Sequence, residues 1–432
     1  MTPKSKSTRT MPKIARGLAD IPAKTIYVLL KLAEEGDVVS LGVGEPDLDA
    51  PPAAINAATK ALQSGRTHYS PDPGLFELRE AVRKKTVRDN RFDFDPERQI
   101  IITPGASAAL FGVLLATVEE GDEVIIPSPG YLAYEPVVQF TGATPIMVPS
   151  DESNGFIPQA DTLKDAVNEN TRGLIICTPN NPTGMMWDRE SLELVRDLAV
   201  DNDFYVYSDE LYSNIVFDDN EHVSIASLDG MDKLAVTISG MSKNYSMTGF
   251  RIGWVIGSES VISAYRKIHQ YTAIAASTPS QIASIAALED SGGYVDEMVT
   301  EYERRRRLLL QRFANDIPLM RAVKPDGSFY MMVSVAELVE KHMDDMTAFL
   351  KSEENRCLYD KFPQAARDWV HEGRSGSKIT VLYLLCKAGV LTGPGIAFGE
   401  SAENYLRISF GQSYPLIEEA LDRMGQTLSE WR

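Results

Sequence analysis

The stretch Gly240–Gly253, GMSKNYSMTGFRIG, decides the reading of this chain. It holds one lysine, Lys243, among small and flexible residues, and the next cation, Arg251, follows eight positions later. A surface lysine needs no such setting, because it normally sits in a mixed-charge patch on a helix face. A lysine with a chemical task needs room for a ligand, which small neighbours supply. It also needs an amine partly uncharged near neutral pH, so its surroundings must bring the pKa from about 10.4 toward roughly 7–8.

Working outward from Lys243, short apolar and β-branched runs recur, each closed by Gly, Pro, Ser or Asp. They are RQIIITPG (98–105), DEVIIPSPG (122–130), ATPIMVPS (143–150), RGLIICTPNNPTG (172–184), FYVYSDE (204–210), LAVTISG (234–240) and RIGWVIG (251–257). Between most of them lie segments of helical period, such as SAALFGVLLATVEE (107–120) and DRESLELVRDLAV (188–200). Strands alternating with helices predict an α/β fold with a mainly parallel, seven-stranded sheet covered by helices on both faces. Ligands in such sheets bind beyond the carboxyl ends of the strands. The polar residues Ser107, Tyr131, Asn181, Asp209, Tyr212 and Lys243 cluster at those ends.

At about Asp326 the pattern changes. DGSFYMMVSV (326–335) reads as a strand, a charged helix-rich stretch follows to Lys378, and VLYLLCKAGVLTGPGIAFG (381–399) leads to YLRISFG (405–411). The expected division is an arm and part of a small domain over 1–50, a large domain over 51–324, and a smaller α+β domain over 325–432. The last carries a helix-rich insertion at about 335–378, read either as a surface insertion or as a lid reshaping the site entrance.

The totals narrow the classes. A chain of 432 residues is too long for one small core. Its 43 basic and 61 acidic residues give a net charge of −18, which argues against a nucleic-acid surface and predicts a soluble cytoplasmic protein. Three scattered cysteines make no disulfide framework, and five histidines show no metal-ligand spacing. No apolar run approaches the ~20 residues that cross a bilayer. The N-terminal MTPKSKSTRTMPKIAR carries five basic and no acidic residues and is expected to be a disordered arm.

The pieces can then be read as chemistry. Lys243 could form an imine with an aldehyde. Arg251 offers a fork suited to phosphate. GASAAL (105–110) follows a strand and opens a helix, so its N–H groups and Ser107 would face an anion. Asp209 ends an apolar strand, where a carboxylate is costly unless it meets a cation. An aldehyde, a phosphate and a ring able to become cationic describe pyridoxal 5′-phosphate (PLP), with Asp209 on the ring nitrogen. Each piece alone has a bland reading: Lys243 as a surface lysine, Asp209 as a helix cap, NNPTG as a turn, and GVGEPD as an incomplete glycine fingerprint. Their joint order overrides these.

That order resembles the class I/II aminotransferases of the fold-type I PLP enzymes, and is similar to aspartate and aromatic amino acid aminotransferases. The carriers are VSLGVGEPD (39–47), THYSPDPGLFELREAV (67–82), PGASAAL (104–110), SPGYLAY (128–134), TPNNPTG (178–184), YSDELY (207–212), SGMSKNYSMTGFRIGW (239–254) and YLRISF (405–410). The resemblance runs from about Ala15 to the C-terminus and implies a role for each matching residue. Lys243 holds PLP as an imine and moves the substrate proton, Asp209 pairs with the pyridine nitrogen, and Asn181 and Tyr212 bond the phenolic oxygen. Tyr131 stacks on the ring, where many relatives have tryptophan. Ala106 and Ser107, Arg251, and Tyr69 from a second copy in a homodimer bind the phosphate, with Ser239 or Ser242 adding a hydroxyl. Arg407, helped by Gly44 and Asn181, takes the substrate carboxylate. The implied activity is ping-pong transfer of an amino group from an L-amino acid to a 2-oxo acid such as 2-oxoglutarate. IHQYTAIAASTPSQ (268–281) offers no arginine for a second carboxylate, so aspartate, aromatic and other neutral donors all stay open. A β-lyase on the same fold is the alternative, since it would use the same lysine and aspartate.

Overall fold

The structure is a computed structural model that describes residues 37–290, 292–353, 360, 362, 364–372 and 375–431. The expected N-terminal arm lies almost wholly outside these residues, as does Cys357. All seven strands read from the sequence form, and together they make one sheet. In chain order they are β2 (Ile100–Thr103), β3 (Glu123–Ser128), β4 (Thr144–Pro149), β5 (Thr171–Cys177), β6 (Tyr205–Asp209), β7 (Ala235–Gly240) and β8 (Gly253–Ile256), preceded by a short β1 (Val39–Ser40) elsewhere. The sheet order is β2-β8-β7-β6-β5-β3-β4. Only β8 runs against its neighbours, pairing antiparallel with both β2 and β7, while β3 to β7 pair in parallel.

The unbroken apolar runs follow from cover on both faces. Successive strand residues point to opposite sides, and here each side has its own core. Ile101, Val124, Ile126, Ile175, Tyr207, Val236, Ile238 and Val255 join one cluster. Ile100, Ile102, Trp254 and Ile256 pack the other face at one end of the sheet with the helices Pro52–Gln63, Phe76–Lys85 and Thr278–Glu289. Ile125, Leu174, Ile176 and Val206 do so at the other end, against the helix Arg189–Asn202. That helix starts where it does because the Asp188 carboxylate accepts from Ser191 N–H at 2.7 Å.

A second, antiparallel sheet follows: β9 (Arg321–Ala322), β10 (Tyr330–Ser334), β12 (Gly393–Pro394) and β13 (Tyr405–Ser409), in the order β12-β13-β10-β9. β1 pairs in parallel with β11 (Val390–Leu391), and the Leu41 carbonyl accepts from Ser409 N–H at 2.7 Å, so residues 39–41 pack beside this sheet. The stretch 335–378 is helix-rich, as expected, with helices Ala336–Lys351 and Gln364–Glu372 and the start of Gly376–Ala388. Its Leu338, Met346, Leu350, Phe362, Ala366 and Val370 are buried in the main core. These side chains tie the described part of the stretch to the main core. No helix among the described residues is long and apolar enough to cross a membrane.

Candidate active site

The carboxyl ends of the large sheet open on a cavity of about 360 Å³. Lining it are Gly44, Ala106, Ser107, Tyr131, Asn181, Asp209, Tyr212, Ser242, Lys243, Arg251 and Arg407. These are all the sequence-predicted site residues except Ser239 and Tyr69. Ser239 Oγ instead donates to the Glu210 carbonyl at 3.1 Å, inside the strand layer. The alternation along β7 turns it that way, whereas Ser242 stands beyond the strand end. Tyr69 is 80% exposed on this chain. None of the described residues of 335–378 lines the cavity.

Lys243 reaches the cavity from the turn of helix Met241–Asn244 that follows β7, and its Nζ donates to the Gly44 carbonyl at 2.6 Å. Its pKa falls to about 8. Burial is the main cause, opposed by Glu45 and Asp209 and assisted by the positive charges of Arg407 and Arg251. Asp209, the last residue of β6, accepts from the Tyr134 hydroxyl at 2.7 Å and from Leu211 N–H at 3.3 Å. Burial pushes its pKa up to about 6 despite those two donors and Lys243. Glu210, one residue on, turns away from the cavity into a polar nest. It accepts from Ser208 at 2.9 Å, Ser224 at 2.6 Å and Asn90 at 3.0 Å, beside His222.

The opposite wall belongs to Arg407 on β13. Its Nη1 donates to Asn181 Oδ1 at 3.1 Å and its Nη2 to the Gly42 carbonyl at 2.5 Å. Two rings flank the guanidinium, Tyr330 at 4.7 Å and Phe398 at 4.8 Å. The Arg407 Nε is buried and has no hydrogen-bond partner within the chain. That orphan N–H suits a carboxylate arriving from the cavity.

The third wall has the make-up of an anion cradle. Gly105, at φ 85°, turns the chain into the helix Ala106–Thr117, whose first N–H groups carry no side-chain cap. A Cβ on Gly105 would lie 2.3 Å from Arg251 Nη2, and one on Gly253 would lie 2.5 Å from Ala106 N. The two glycines thus let a guanidinium and a helix start approach each other across one small space. A lysine of lowered pKa, a carboxylate at the end of a buried strand lining the same cavity, and this anion cradle together fit PLP.

Sequence reasoning missed Tyr134, Tyr330, Glu45, Thr248 and Cys177, all of which line the same cavity. Tyr134 stood in the SPGYLAY motif, three residues after Tyr131. Cys177 is the register partner of Asp209 across β5 and β6, which strand reading alone could have suggested. Lys267 lies outside the lining, as does His269, whose Nδ1 sits 3.0 Å from Asp72 Oδ1.

Fold and site define a PLP-dependent enzyme of fold type I. The sequence model of "Aminotransferase class I and II" matches residues 36–424, and the chain belongs to that family. It is 38% identical over 398 residues to an aspartate aminotransferase of Pyrococcus abyssi, covering 91% of this chain and 92% of that one. It is equally 38% identical over 395 residues to aromatic-amino-acid aminotransferase 2 of Thermococcus litoralis, with 91% and 92% covered. The crystal structure of an aromatic aminotransferase from Pyrococcus horikoshii superimposes with a TM-score of 0.80 at 37% identity, over 94% of this chain and 99% of that one. The activity is amino-group transfer between an amino acid and a 2-oxo acid, and the relatives do not favour the β-lyase alternative.

Proposed function

We propose that the donor is an L-amino acid with an aromatic or other uncharged side chain, and that the acceptor is a 2-oxo acid bound in the same cavity. The observation behind this reading is the count of cations. Among the described residues, only Lys243, Arg251 and Arg407 bring positive charge to the cavity, while Val43, Leu110, Tyr131, Leu132 and Tyr330 supply apolar or aromatic surface. With Arg251 given to phosphate and Arg407 to the α-carboxylate, no cation among the described residues lining the cavity remains for a distal carboxylate. Aspartate, for which the Pyrococcus abyssi relative is named, is the competing donor.

In this proposal Arg407 clamps the α-carboxylate through a fork already levelled by Asn181 and Gly42. Lys243 would hold the cofactor covalently until the substrate's own amine takes its place; the freed amine would then move the proton at the substrate Cα, a task its lowered pKa suits near neutrality. Asp209 stays ionised against the ring nitrogen, held by Tyr134. Tyr212 and Asn181 serve the phenolic oxygen, Tyr131 covers the ring, and Ala106, Ser107, Ser242 and Arg251 hold the phosphate. Bound there, PLP supplies a ring that withdraws electrons from the substrate Cα and carries the nitrogen between half-reactions.

The proposal includes a homodimer in which Tyr69 of each copy serves the other's phosphate, which agrees with its 80% exposure on one chain. It also includes a large domain ending near residue 324, a smaller one after it, and a cytoplasmic location. The test follows the visible absorbance of purified protein before and after single L-amino acids, with Lys243→Ala alongside. Bleaching by phenylalanine or tyrosine and not by aspartate is the expected result. Bleaching by aspartate alone overturns the side-chain reading, and release of ammonia with the 2-oxo acid would favour elimination instead.

A further inference from the structure

Tyr330 has no part in the mechanism above, yet it contacts Arg407, Tyr212 and the Gly44 backbone. It opens β10 and is 1% exposed. β10 and β13 run antiparallel, with Met332 opposite Arg407 and Tyr330 opposite Ser409. Residues facing each other across such a pair share a face, so the Tyr330 ring lies diagonal to Arg407 and leans over its guanidinium at 4.7 Å. The hydroxyl at the far end of that ring lies 3.2 Å from the Tyr212 hydroxyl. It also abuts the Gly44 backbone, where an added Cβ would meet Tyr330 Oη at 2.3 Å. Gly44 in turn is the residue whose carbonyl accepts from Lys243.

A hydroxyl has one proton to give and two lone pairs to offer. If Tyr212 gives its proton to the cofactor's phenolic oxygen, its own oxygen is left to accept, and Tyr330 Oη is the group standing there to donate. Without that donor, the Tyr212 oxygen keeps an unmet lone pair, and its hydrogen bond into the cavity loses the strengthening that a bond from Tyr330 supplies. The ring of the same residue limits where the Arg407 fork can swing. One side chain therefore sets two groups that must agree: the one facing the cofactor's oxygen and the one facing the substrate's carboxylate.

We propose that Tyr330 is a positioning residue that aims the Tyr212 proton into the cavity with its hydroxyl and levels the Arg407 guanidinium with its ring. This rests on the PLP and Arg407 roles proposed above. Two variants separate the two halves. Tyr330→Phe removes the hydroxyl and keeps the ring, whereas Tyr330→Leu removes both.

The readouts are the pH at which the visible band of the PLP-loaded enzyme changes, and kcat and KM for the preferred amino acid. In Tyr330→Phe the transition is expected to move up by about half a unit to one unit, because a weaker donor at the phenolic oxygen leaves the neighbouring nitrogen more basic. With it kcat should fall about fivefold at little-changed KM, as for loss of one hydrogen bond. Tyr330→Leu should show the same shift and, in addition, a KM raised about tenfold. A Tyr330→Phe enzyme with the parent's transition pH and kcat overturns the proposal, as does a KM that rises equally in both variants with no spectral shift. If the parent protein takes up no PLP, the cofactor reading falls and this inference with it.

Discussion

Asp209→Asn should make the cofactor-free protein more stable and the loaded enzyme nearly inactive. The Asp209 carboxyl sits at a strand end, partly buried, with a pKa raised from 3.8 to about 6. An acid whose native pKa lies above its unfolded value holds more protons when folded. Its contribution to stability is therefore fully present below about pH 4 and is lost as pH rises through about 6. Integrated to pH 8, the loss is about 3 kcal/mol at most, since the side chain still meets some solvent through the cavity. Asparagine has no charge to bury and can still accept from the Tyr134 hydroxyl. The variant should thus gain up to that amount at pH 8, about half of it at pH 5, and close to nothing below about pH 4. For a chain of 432 residues this corresponds to a Tm rise of about 3 °C at pH 8. The assay is a thermal melt of cofactor-stripped protein across pH 4–8, parent and variant side by side. In the loaded enzyme the same substitution removes one partner of a buried charge pair. A loss of about 3–5 kcal/mol falling on the transition state slows turnover roughly a hundredfold to several thousandfold. A stripped variant no more stable than its parent at pH 8, or a loaded one with near-parent turnover, refutes the reasoning.

Lys243→Ala should lose the mass increase that borohydride fixes on the PLP-loaded parent, and its turnover should drop by at least about 10²–10⁴. In the stripped parent, mass-mapped acylation of Lys243 should rise with pH and reach half its maximal rate near pH 8, because only the free amine reacts; a midpoint near 10 would show an ordinary lysine. Arg407→Leu leaves Asn181 and Gly42 without their donor and should lower kcat/KM roughly a hundredfold to several thousandfold for both substrates, read in steady-state kinetics. Gly253→Ala places a Cβ 2.5 Å from Ala106 N, so backbone must move; denaturant unfolding should report a loss of about 1–3 kcal/mol, and PLP retention on dialysis should fall.

The large sheet was legible because every strand but the edge strand β4 is covered on both faces and so reads as an unbroken apolar run closed by a turn former. The polar residues at strand ends were legible for the complementary reason: Asp209 and Asn181 break those runs where a ligand must be met. What the sequence hid lies in side chains brought together from distant strands. Tyr330 reads as one more apolar residue of FYMMV, and only the pairing of β10 with β13 turns it toward Arg407. Tyr134 reads as the start of a helix until the fold sets its hydroxyl on Asp209. Ser239 and Ser242 look alike in SGMS, and the end of β7 between them decides which one meets the cavity. The helices of 335–378 are rich in charge, which masks the stripe of Leu338, Met346 and Leu350 that buries them.

The lone reversed strand has a consequence for how the molecule is made. β2 has no hydrogen-bonded neighbour in the sheet but β8, and their partners Thr103 and Gly253 are about 150 residues apart in sequence. During synthesis β2 must therefore wait, an open edge, until the chain has been made past Ile256 and β8 slots between it and β7. Ala106 and Arg251 come together only at that moment. Contacts of such long range close slowly, and PLP present during refolding would then be held only by chains that have completed this closure. The growth of its visible band would time the last strand into the sheet.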